Sequence, residues 1–480
     1  MADENRMITF EYARVNYDAY KLQSIPSSYE CMTRSDILSY ISVETTPLAT
    51  YSSNQLIPRV KVIGKALAAT NFDVTASNWP FTDQTGFIDH LASTHQGFLT
   101  VIEITNFSLI NGRLRCNLLA KGPRLGFTME EGITEIRGIG NIIGIQMLDI
   151  SSQLMTNFNL EFSLPDSLST IVLNSLPNFT TFNPSVPLPA NLRHLSLYSL
   201  PNFEIFNPTL PLPDSVEQIS INNCKLLTFY TNHQLPASLT NLYITSCDLA
   251  VFNNELPQKL ETLWIGSCKL TSFNKVAPPT LTTVSLYGNL LETVYIPVIN
   301  NNIKYLSVSE NNLNNINNIL PLPPTLDTLY IAVNNLTSLE VQLPSTLREL
   351  TLQNNKFTSF DPLYALPSSL EYLYLDSNLL TTFKPTIPLP NSLKRLQIQG
   401  NKLTKLEFTI PTNIKTLWIG SNSISDWSQS EAFFQALPQR PYPPTSEYSI
   451  VIGNNPQHII GTPYPAIIKN KGYELSIINF

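Results

Sequence analysis

The sequence is poor in charged residues and has no long apolar run. Charged residues make up 14% of the 480 residues, and the formal net charge is −7, whereas an average globular domain carries about 25% charged residues. A phosphate-backbone binder needs a basic patch, so this acidic balance argues against nucleic acid as a partner. No segment approaches the roughly 18 consecutive apolar residues of a membrane span, so we expect no membrane insertion.

Cysteine and glycine are also scarce. Five cysteines are an odd number in a long chain, which does not suit a disulfide framework. The first residues, Met1 to Arg6, lack the basic segment followed by an apolar segment of a secretory signal. We therefore expect folding in a reducing cytoplasm, with any export by another route. Glycine occurs 17 times and proline 36 times, an imbalance that an internal repeat explains.

The repeat has the form L-x-x-L-x-L-x-x-N-x-L, with clear copies starting at Leu347, Leu370 and Leu393. When its second leucine position is taken as the mark, copies occur at residues 148, 171, 195, 219, 242, 263, 284, 306, 329, 350, 373, 396 and 417. The steps of 21 to 24 residues lie inside the range of about 20–29 for leucine-rich repeats. A fourteenth copy, at Ile450, follows a step of 33 residues.

The chain thus resembles leucine-rich-repeat proteins. Phrases such as Leu366-Pro367-Ser368-Ser369-Leu370 resemble the short bacterial subclass found in adhesins and in secreted effectors of pathogens. The resemblance implies a strand-rich solenoid of the α/β repeat type, a horseshoe with a parallel sheet on its concave side. Proline disrupts helices, so the proline-rich part of each coil predicts extended polyproline-II backbone on the convex side.

Each repeat position has a physical role. The two residues of L-x-L share one face of a strand and point inward, and the Asn amide can satisfy backbone groups at the turn that follows. Three copies carry Cys224, Cys247 and Cys268 at the Asn position. We expect these thiols to be buried, reduced and unligated. The alternative is a redox or metal cluster, which the absence of C-x-x-C spacing disfavours.

The sequence divides into three predicted domains. Residues 1–136 lack the repeat and predict a small β-rich N-terminal attachment domain, residues 137–456 a solenoid of about 14 coils, and residues 457–480 a C-terminal cap. In the first domain, Asn111-Gly112 predicts a hairpin between strands Phe98–Ile110 and Arg113–Ala120.

Short helices and a last strand are expected outside the regular repeat. Two helices are predicted in the N-terminal domain, over Arg34–Ile41 and Phe87–Ser93. A helical insertion is predicted near residues 426–437, opened by a capping box from Ser428 to Glu431. A final strand near Leu475–Ile477 would close the core.

Aromatic residues recur at positions that face the concave side. The candidate binding residues are Tyr198, Tyr243, Trp264, Tyr287, Tyr305, Tyr330, Tyr372, Tyr374 and Trp418. Exposed tyrosine and tryptophan are frequent interface anchors, because they bury much area at low entropic cost. The alternative is that aromatic residues simply suit β-strands.

Motifs of catalysis are missing. No H-E-x-x-H, P-loop, EF-hand or G-x-S-x-G phrase occurs. Effector ligases with leucine-rich repeats carry a catalytic cysteine on a large helical domain after the repeats, whereas only some 25 residues follow the last coil here. We therefore expect no enzyme activity, no cofactor and no metal.

The functional expectation is a recognition or adhesion protein. Residues Met32–Ile41 and Thr46–Leu56 resemble N-terminal regions of appendage proteins in phages of Bacteroidota hosts. That resemblance implies a virion appendage of tail-fibre type, whose first domain contacts other virion proteins and whose repeats bind a host surface protein or glycan. The alternatives are a bacterial effector or adhesin that binds a host protein, located in the cytoplasm or exported to the cell surface, and a purely structural virion decoration.

Overall fold

The computed structural model describes residues 7–11, 41–47, 58–65, 69–94, 99–128, 131–152, 154–297, 302–441 and 445–477. The chain forms two compact units. The first comprises Met1–Asn178 and Pro184–Asn191, and the second comprises Phe179–Asn183 and Leu192–Phe480.

The first unit consists mainly of strands, with a helix α1 (Gln84–Thr94). Its strands are β1 (Met7–Glu11), β2 (Ile41–Pro47), β3 (Pro58–Lys65), β4 (Thr70–Ala76), β5 (Thr100–Ile110), β6 (Arg113–Lys121), β7 (Arg124–Phe127), β8 (Ile133–Ile139), β9 (Asn141–Ile143), β10 (Met147–Ser151), β11 (Asn157–Phe158) and β12 (Thr170–Asn174). One antiparallel sheet has the order β1-β3-β2, and a second has the order β5-β6-β4-β8, with β9 parallel to β6.

The predicted hairpin is confirmed, because β5 and β6 pair antiparallel across Asn111 and Gly112. Both turn residues have positive φ, +52° and +77°, as a two-residue hairpin turn of this type requires. The helix predicted over Phe87–Ser93 is confirmed within α1. The helix predicted over Arg34–Ile41 lies outside the described residues, except that Ile41 begins β2.

Parallel pairing begins earlier in the chain than the repeat phrase suggests. Strands β7, β10 and β12 are parallel neighbours, with Met147 opposite Arg124 and Leu148 opposite Ile171. Leu125 and Phe127 are buried, so β7 has the alternation of an L-x-L strand without the rest of the phrase. A strand of repeat type therefore lies inside the segment 1–136, whose boundary stays a prediction.

The second unit contains the remaining strands and two short α-helices, α2 (Glu431–Gln435) and α3 (Tyr464–Asn470). Its strands are β13 (Thr181–Phe182), β14 (His194–Leu200), β15 (Ile205–Phe206), β16 (Gln218–Cys224), β17 (Thr228–Phe229), β18 (Asn241–Cys247), β19 (Thr262–Gly266), β20 (Ser272–Asn274), β21 (Thr283–Ser285), β22 (Thr293–Tyr295), β23 (Tyr305–Ser307), β24 (Thr328–Tyr330), β25 (Glu349–Thr351), β26 (Tyr372–Tyr374), β27 (Arg395–Gln397), β28 (Thr416–Trp418), β29 (Thr445–Ile452) and β30 (Tyr473–Ile477). Three 3-10 helices span Ile316–Ile319, Trp427–Ser430 and Ile459–Gly461.

A long parallel sheet runs through this unit, one strand per coil. Its order is β14-β16-β18-β19-β21-β23-β24-β25-β26-β27-β28-β29-β30. Inward leucines lie opposite one another in neighbouring coils, as Leu350 lies opposite both Leu329 and Leu373. These residues are completely buried. The expected strand-rich leucine-rich-repeat solenoid with little helix is confirmed.

The L-P-x-S-L phrase forms a tight turn that leads into the strand. The amide of Leu370 donates to the carbonyl of Pro367 at 3.0 Å, and Leu239 donates to Pro236 in the same way at 3.1 Å. Proline supplies only an acceptor here, so its missing N–H costs nothing. This turn explains why proline is abundant although the chain is rich in strands.

The other side of the coils is extended, as expected, but part of it is hydrogen-bonded sheet. Strands β13, β15 and β17 pair in parallel, as do β20 and β22. Phenylalanine side chains of these strands stack on one another: the rings of Phe206 in β15 and Phe229 in β17 lie 5.8 Å apart at an interplanar angle of 22°. Neighbouring coils thus satisfy the backbone groups of these short segments, which lie outside proline-rich stretches such as residues 183–189 and 211–213. The polyproline-II backbone expected for the proline-rich stretches stays a prediction.

The predicted helical insertion is present with a different cap. Asp426, rather than Ser428, begins it, since the Asp426 carboxylate accepts from the amide of Ser428 at 3.0 Å. Phe433, Phe434 and Leu437 are buried, as predicted. The predicted last strand is also confirmed, because β30 covers Leu475–Ile477 and pairs in parallel with β29.

Candidate functional site

A ladder of asparagine side chains fixes the coil turns at the downstream end of the strands. The Asn355 amide group donates to the carbonyls of Ile331 and Leu352 at 3.0 and 3.1 Å, and its oxygen accepts from the amide of Leu336 at 3.0 Å. Each such side chain therefore joins two coils. Equivalent ladder residues are Asn289, Asn311, Asn334, Asn378, Asn401 and Asn422.

The three cysteines occupy the same ladder position and are buried, as predicted. Cys224 and Cys247 are 5% exposed and Cys268 is 7% exposed, and none forms a disulfide. The Cys224 Sγ lies 3.8 Å from the carbonyl of Leu197, which is a weak thiol contact. The neighbouring Cys247 thiol and burial both raise the pKa of Cys224 and of Cys268.

The side chains that alternate with the inward leucines form the outer sheet face of the second unit. One line across this face, the middle row, follows the strand register through Ser220, Tyr243, Trp264, Ser285, Ser307, Tyr330, Thr351, Tyr374, Gln397 and Trp418. Strands repeat at about 4.8 Å, so these side chains lie next to one another although about 21 residues separate them in sequence.

The predicted aromatic residues lie on this face but are less exposed than expected. Trp264 is 37% exposed, whereas the other eight are half-buried: Tyr198, Tyr243, Tyr287, Tyr305, Tyr330, Tyr372, Tyr374 and Trp418. Neighbouring coils supply the cover, as the rings of Trp264 and Tyr287 lie 6.0 Å apart and those of Tyr305 and Tyr330 5.3 Å apart. Their role in binding stays a prediction.

Small side chains between the rings are deeply buried. Ser285 is 2% exposed, Ser307 4% and Thr351 5%. Thr351 lies between Tyr330 and Tyr374 in the middle row, and its buried hydroxyl has no hydrogen-bond partner in the part of the chain that the structure describes. Such an orphaned polar atom is uncommon in a folded protein.

A second line, the downstream row, consists of Ala332, Gln353, Asp376, Gln399 and Gly420. Backbone hydrogen bonds set its register: Asn354 donates to Asp376, Ser377 to Gln399 and Gly400 to Gly420, at 2.9–3.0 Å. The Oε1 atoms of Gln353 and Gln399 are buried and have no hydrogen-bond partner among the described residues. Burial raises the pKa of Asp376 between them.

Charged residues just before the strands neutralise one another between coils. Arg348 bonds Glu371 at 3.0 Å, and Lys394 bonds the same carboxylate at 2.7 Å. Hydrogen bonds from these two cations hold the pKa of Glu371 below its usual value. Arg193 likewise bonds Glu217. The positive and negative side chains just before the strands thus pair with one another across neighbouring coils.

Comparison with protein families agrees with this geometry. The family model for leucine-rich repeats in two copies matches residues 345–391, a stretch that includes β25, β26 and the ladder residues Asn355 and Asn378. The chain is a leucine-rich-repeat protein.

Several solved leucine-rich-repeat structures resemble the chain. The YopM effector of Yersinia pestis shares 22% identity over 70% of this chain and 86% of its own, with a TM-score of 0.48. YopM of Yersinia enterocolitica WA-314 shares 17% identity over 75% and 91%, with a TM-score of 0.44. The repeat domain of a Shigella effector shares 30% identity over 37% and 73%, with a TM-score of 0.28. A search of the curated proteins found no match.

Two further features of this leucine-rich-repeat protein concern metal ions and membranes. Among the described residues, no group of three or more His, Cys, Asp or Glu side chains is placed to hold a metal ion. No helix in the described part of the chain is long and apolar enough to cross a membrane.

The sequence interpretation placed the aromatic residues correctly on the outer sheet face but did not select the polar ones. Gln353, Asp376 and Gln399 stand two residues beyond the middle row, a position that the repeat spacing reveals. Their missing partners could not be read from the sequence, because a side chain's partner depends on the neighbouring coils.

Proposed function

We propose that this chain is a non-enzymatic recognition protein whose outer sheet face binds a surface protein of a host cell. The observation that supports this is the outer face itself. It places aromatic rings side by side over many coils, and polar atoms of Thr351, Gln353 and Gln399 lie among them without a partner in the described part of the chain. Interface hot spots are typically tyrosine, tryptophan and arginine in such settings.

We propose a virion appendage as its setting, with residues 1–136 attaching it to other virion proteins and the repeats contacting the receptor. The second candidate is a bacterial effector or adhesin that binds a host protein. The N-terminal resemblance to phage appendages concerns residues largely outside those described. Genes for capsid and baseplate proteins beside this gene would support the virion setting, whereas their absence would favour the effector or adhesin.

The binding role is tested by removing two rings of the middle row. We expect Trp264→Ala and Trp418→Ala each to weaken adsorption of the purified chain to host cells by about 2 kcal/mol, the usual loss at a hot spot. Tyr295→Ala is the matched control, because Tyr295 is 48% exposed and lies in β22, outside the long sheet.

Melting curves of the three variants separate binding from folding. Trp264→Ala should change stability little, since the ring is partly exposed, whereas Trp418→Ala loses the contacts of a half-buried ring. Unchanged adsorption of both variants at unchanged stability would place the contact elsewhere and leave the rings as a consequence of strand propensity.

A further inference from the structure

We propose that the downstream row, at Gln353, Asp376 and Gln399, receives an arginine side chain of the protein partner. This inference rests on the proposed function and names the chemical group that the outer sheet face would recognise in its partner. Its first support is the set of groups present, which consists of a carboxylate flanked on both sides by amide oxygens. All three accept hydrogen bonds.

The acceptors lack partners within the described part of the chain. The Oε1 atoms of Gln353 and Gln399 are buried and unbonded, as is the hydroxyl oxygen of Thr351 in the middle row. Thr351 is 95% buried, with 5% exposure, and stands two residues before Gln353 on the same face. A buried acceptor without a donor costs about 1–3 kcal/mol, so a ligand that supplies donors would recover this free energy.

Among the residues that the structure describes, no cation pairs with Asp376. Its pKa is raised by desolvation and only partly offset by a hydrogen bond from its own backbone. The other carboxylates nearby are engaged: Glu349 accepts from the Tyr330 hydroxyl at 3.0 Å, and Glu371 bonds Arg348 and Lys394. Arg395 belongs to the adjacent strand but precedes Gln399 by four residues, which is about 13 Å along a strand.

The shape of the row admits a flat cation. Ala332 and Gly420 border the three polar residues, so the residue at each end of the row has a small side chain or none. Tyr374 ends β26 two residues before Asp376, and Trp418 ends β28 two residues before Gly420. A guanidinium group is planar, carries five N–H donors and stacks on aromatic rings, so it matches acceptors in a line beside two rings.

The test compares an acetylated, amidated Gly-Gly-Arg-Gly-Gly peptide with the same peptide carrying citrulline, which keeps the shape and loses the charge. Binding to the full chain is followed by saturation-transfer NMR. We expect the arginine peptide to bind at least tenfold more tightly than the citrulline peptide, because a hydrogen bond to a charged group is worth about tenfold or more in affinity.

Variants locate the site. Asp376→Asn and the double variant Gln353→Met/Gln399→Met should each weaken the arginine peptide about tenfold. Asp248→Asn is the matched control, because Asp248 already bonds Lys269 at 2.8 Å and lies outside the row. Asp376→Asn is nearly isosteric, and a melting curve verifies that it is folded.

The opposite results are equally clear. Equal binding of the two peptides, no binding of either, or unchanged binding by Asp376→Asn would overturn the inference. Displacement of the arginine peptide by low millimolar calcium chloride in the parent chain but not in Asp376→Asn would assign the row to a metal ion instead. None of these outcomes affects the Trp264 and Trp418 test, so the proposed function stands or falls separately.

Discussion

At the residue scale, one backbone position in each coil adopts an unusual conformation. The residue just before the ladder position has positive φ in every coil from Ser175 to Ser421, and it is usually serine, asparagine or glycine. Glu310 and Val333 are the exceptions, and only Val333 is β-branched, with φ of +53° and 44% exposure. A β-branched residue is strained in this region.

We expect Val333→Asn to stabilise the chain by about 1 kcal/mol, because asparagine tolerates positive φ. Chemical denaturation measures the change. Ser377→Asn is the control, since Ser377 has φ of +55° and no branched side chain, and it should change the free energy of unfolding little. A loss of stability in Val333→Asn would show that the valine side chain contributes packing that outweighs the strain.

Asp376 predicts a pH dependence of stability. Because burial raises its pKa in the folded chain above the ordinary 3.8, the protonated form is favoured by folding, and this contribution is lost as pH rises through the folded pKa. Glu349 and Arg395, the charged residues of the strands on either side, lie opposite Tyr372 and therefore four residues before the level of Asp376. We therefore expect Asp376→Asn to melt at a higher temperature than the parent at pH 7.

Melting curves between pH 3 and 8 measure that difference. It should shrink as pH falls below the ordinary pKa of an aspartate, where both side chains are neutral. Glu310→Gln, an exposed acid in a turn, should show no such pattern. A parent chain as stable as Asp376→Asn at pH 7 would show that the fold tolerates the charged carboxylate without cost.

The buried thiols are expected to react slowly with thiol reagents. Burial raises the pKa of Cys116 to about 12, and the ladder cysteines are at most 7% exposed. Thiolates are the reactive form, and the pKa of Cys116, Cys224 and Cys268 is raised. The pKa of Cys247 is lowered by hydrogen bonds with the Cys224 and Cys268 thiols, so burial alone protects this residue. All four should react with Ellman's reagent only on unfolding. Peptide mapping separates them from Cys31, which lies outside the described residues. Rapid modification of Cys224 in the native chain would contradict its burial, whereas no modification even after unfolding would contradict the reduced, unligated state.

At the scale of the coil, the inward leucine and the ladder asparagine stabilise by different means. Leu352→Ala should cost about 2–5 kcal/mol by leaving a cavity. Asn355→Ala should cost about 2–4 kcal/mol, since it leaves the amide of Leu336 and two carbonyls without their bonds. Cys247→Ala loses only a thiol and should cost about 1–2 kcal/mol.

Urea denaturation of the three variants gives these free energies. Asn355→Asp is a useful companion, because it keeps the acceptor for Leu336 and loses the donors. If Asn355→Ala and Cys247→Ala cost the same, the ladder hydrogen bonds would contribute nothing net, and the asparagine would serve only as a filler of the turn.

At the scale of the whole molecule, the position of β7 changes where the chain can be cut. Removal of residues 1–136 deletes β7 and uncovers one edge of β10, whereas β1, β2 and β3 pair only with one another in the described part of the chain. We expect the chain lacking residues 1–68 to keep its melting temperature and the chain lacking residues 1–136 to melt earlier or aggregate, as an unpaired edge strand favours. Light scattering beside the melting curve measures both.

Loss of virion incorporation in the 1–68 deletion would place attachment in residues 1–68, and retained incorporation would move it to the rest of the chain. A 1–136 deletion that remains monomeric with unchanged melting would show that β7 is not needed to cover β10.

Most of the second unit follows from its sequence, because every coil repeats the same local pattern. The alternation in Leu350-Thr351-Leu352 sets which side chains point inward, and Asn355 marks the turn. The same logic failed at β7, where Leu125 and Phe127 carry the alternation without the ladder residue. The sequence also predicted the helix cap at Ser428, whereas the structure has it at Asp426. Both residues are good caps, so local sequence does not decide between them.

The sequence by itself determined the solenoid, the buried ladder cysteines and the side of the sheet on which Trp264, Tyr374 and Trp418 lie, since period and alternation are local properties. Only the tertiary structure decided how exposed these rings are, because neighbouring coils cover them. It alone brought Gln353, Asp376 and Gln399 together without partners. Residues more than 20 positions apart become neighbours through the strand register, and whether their hydrogen bonds are satisfied depends on every side chain that the register places beside them.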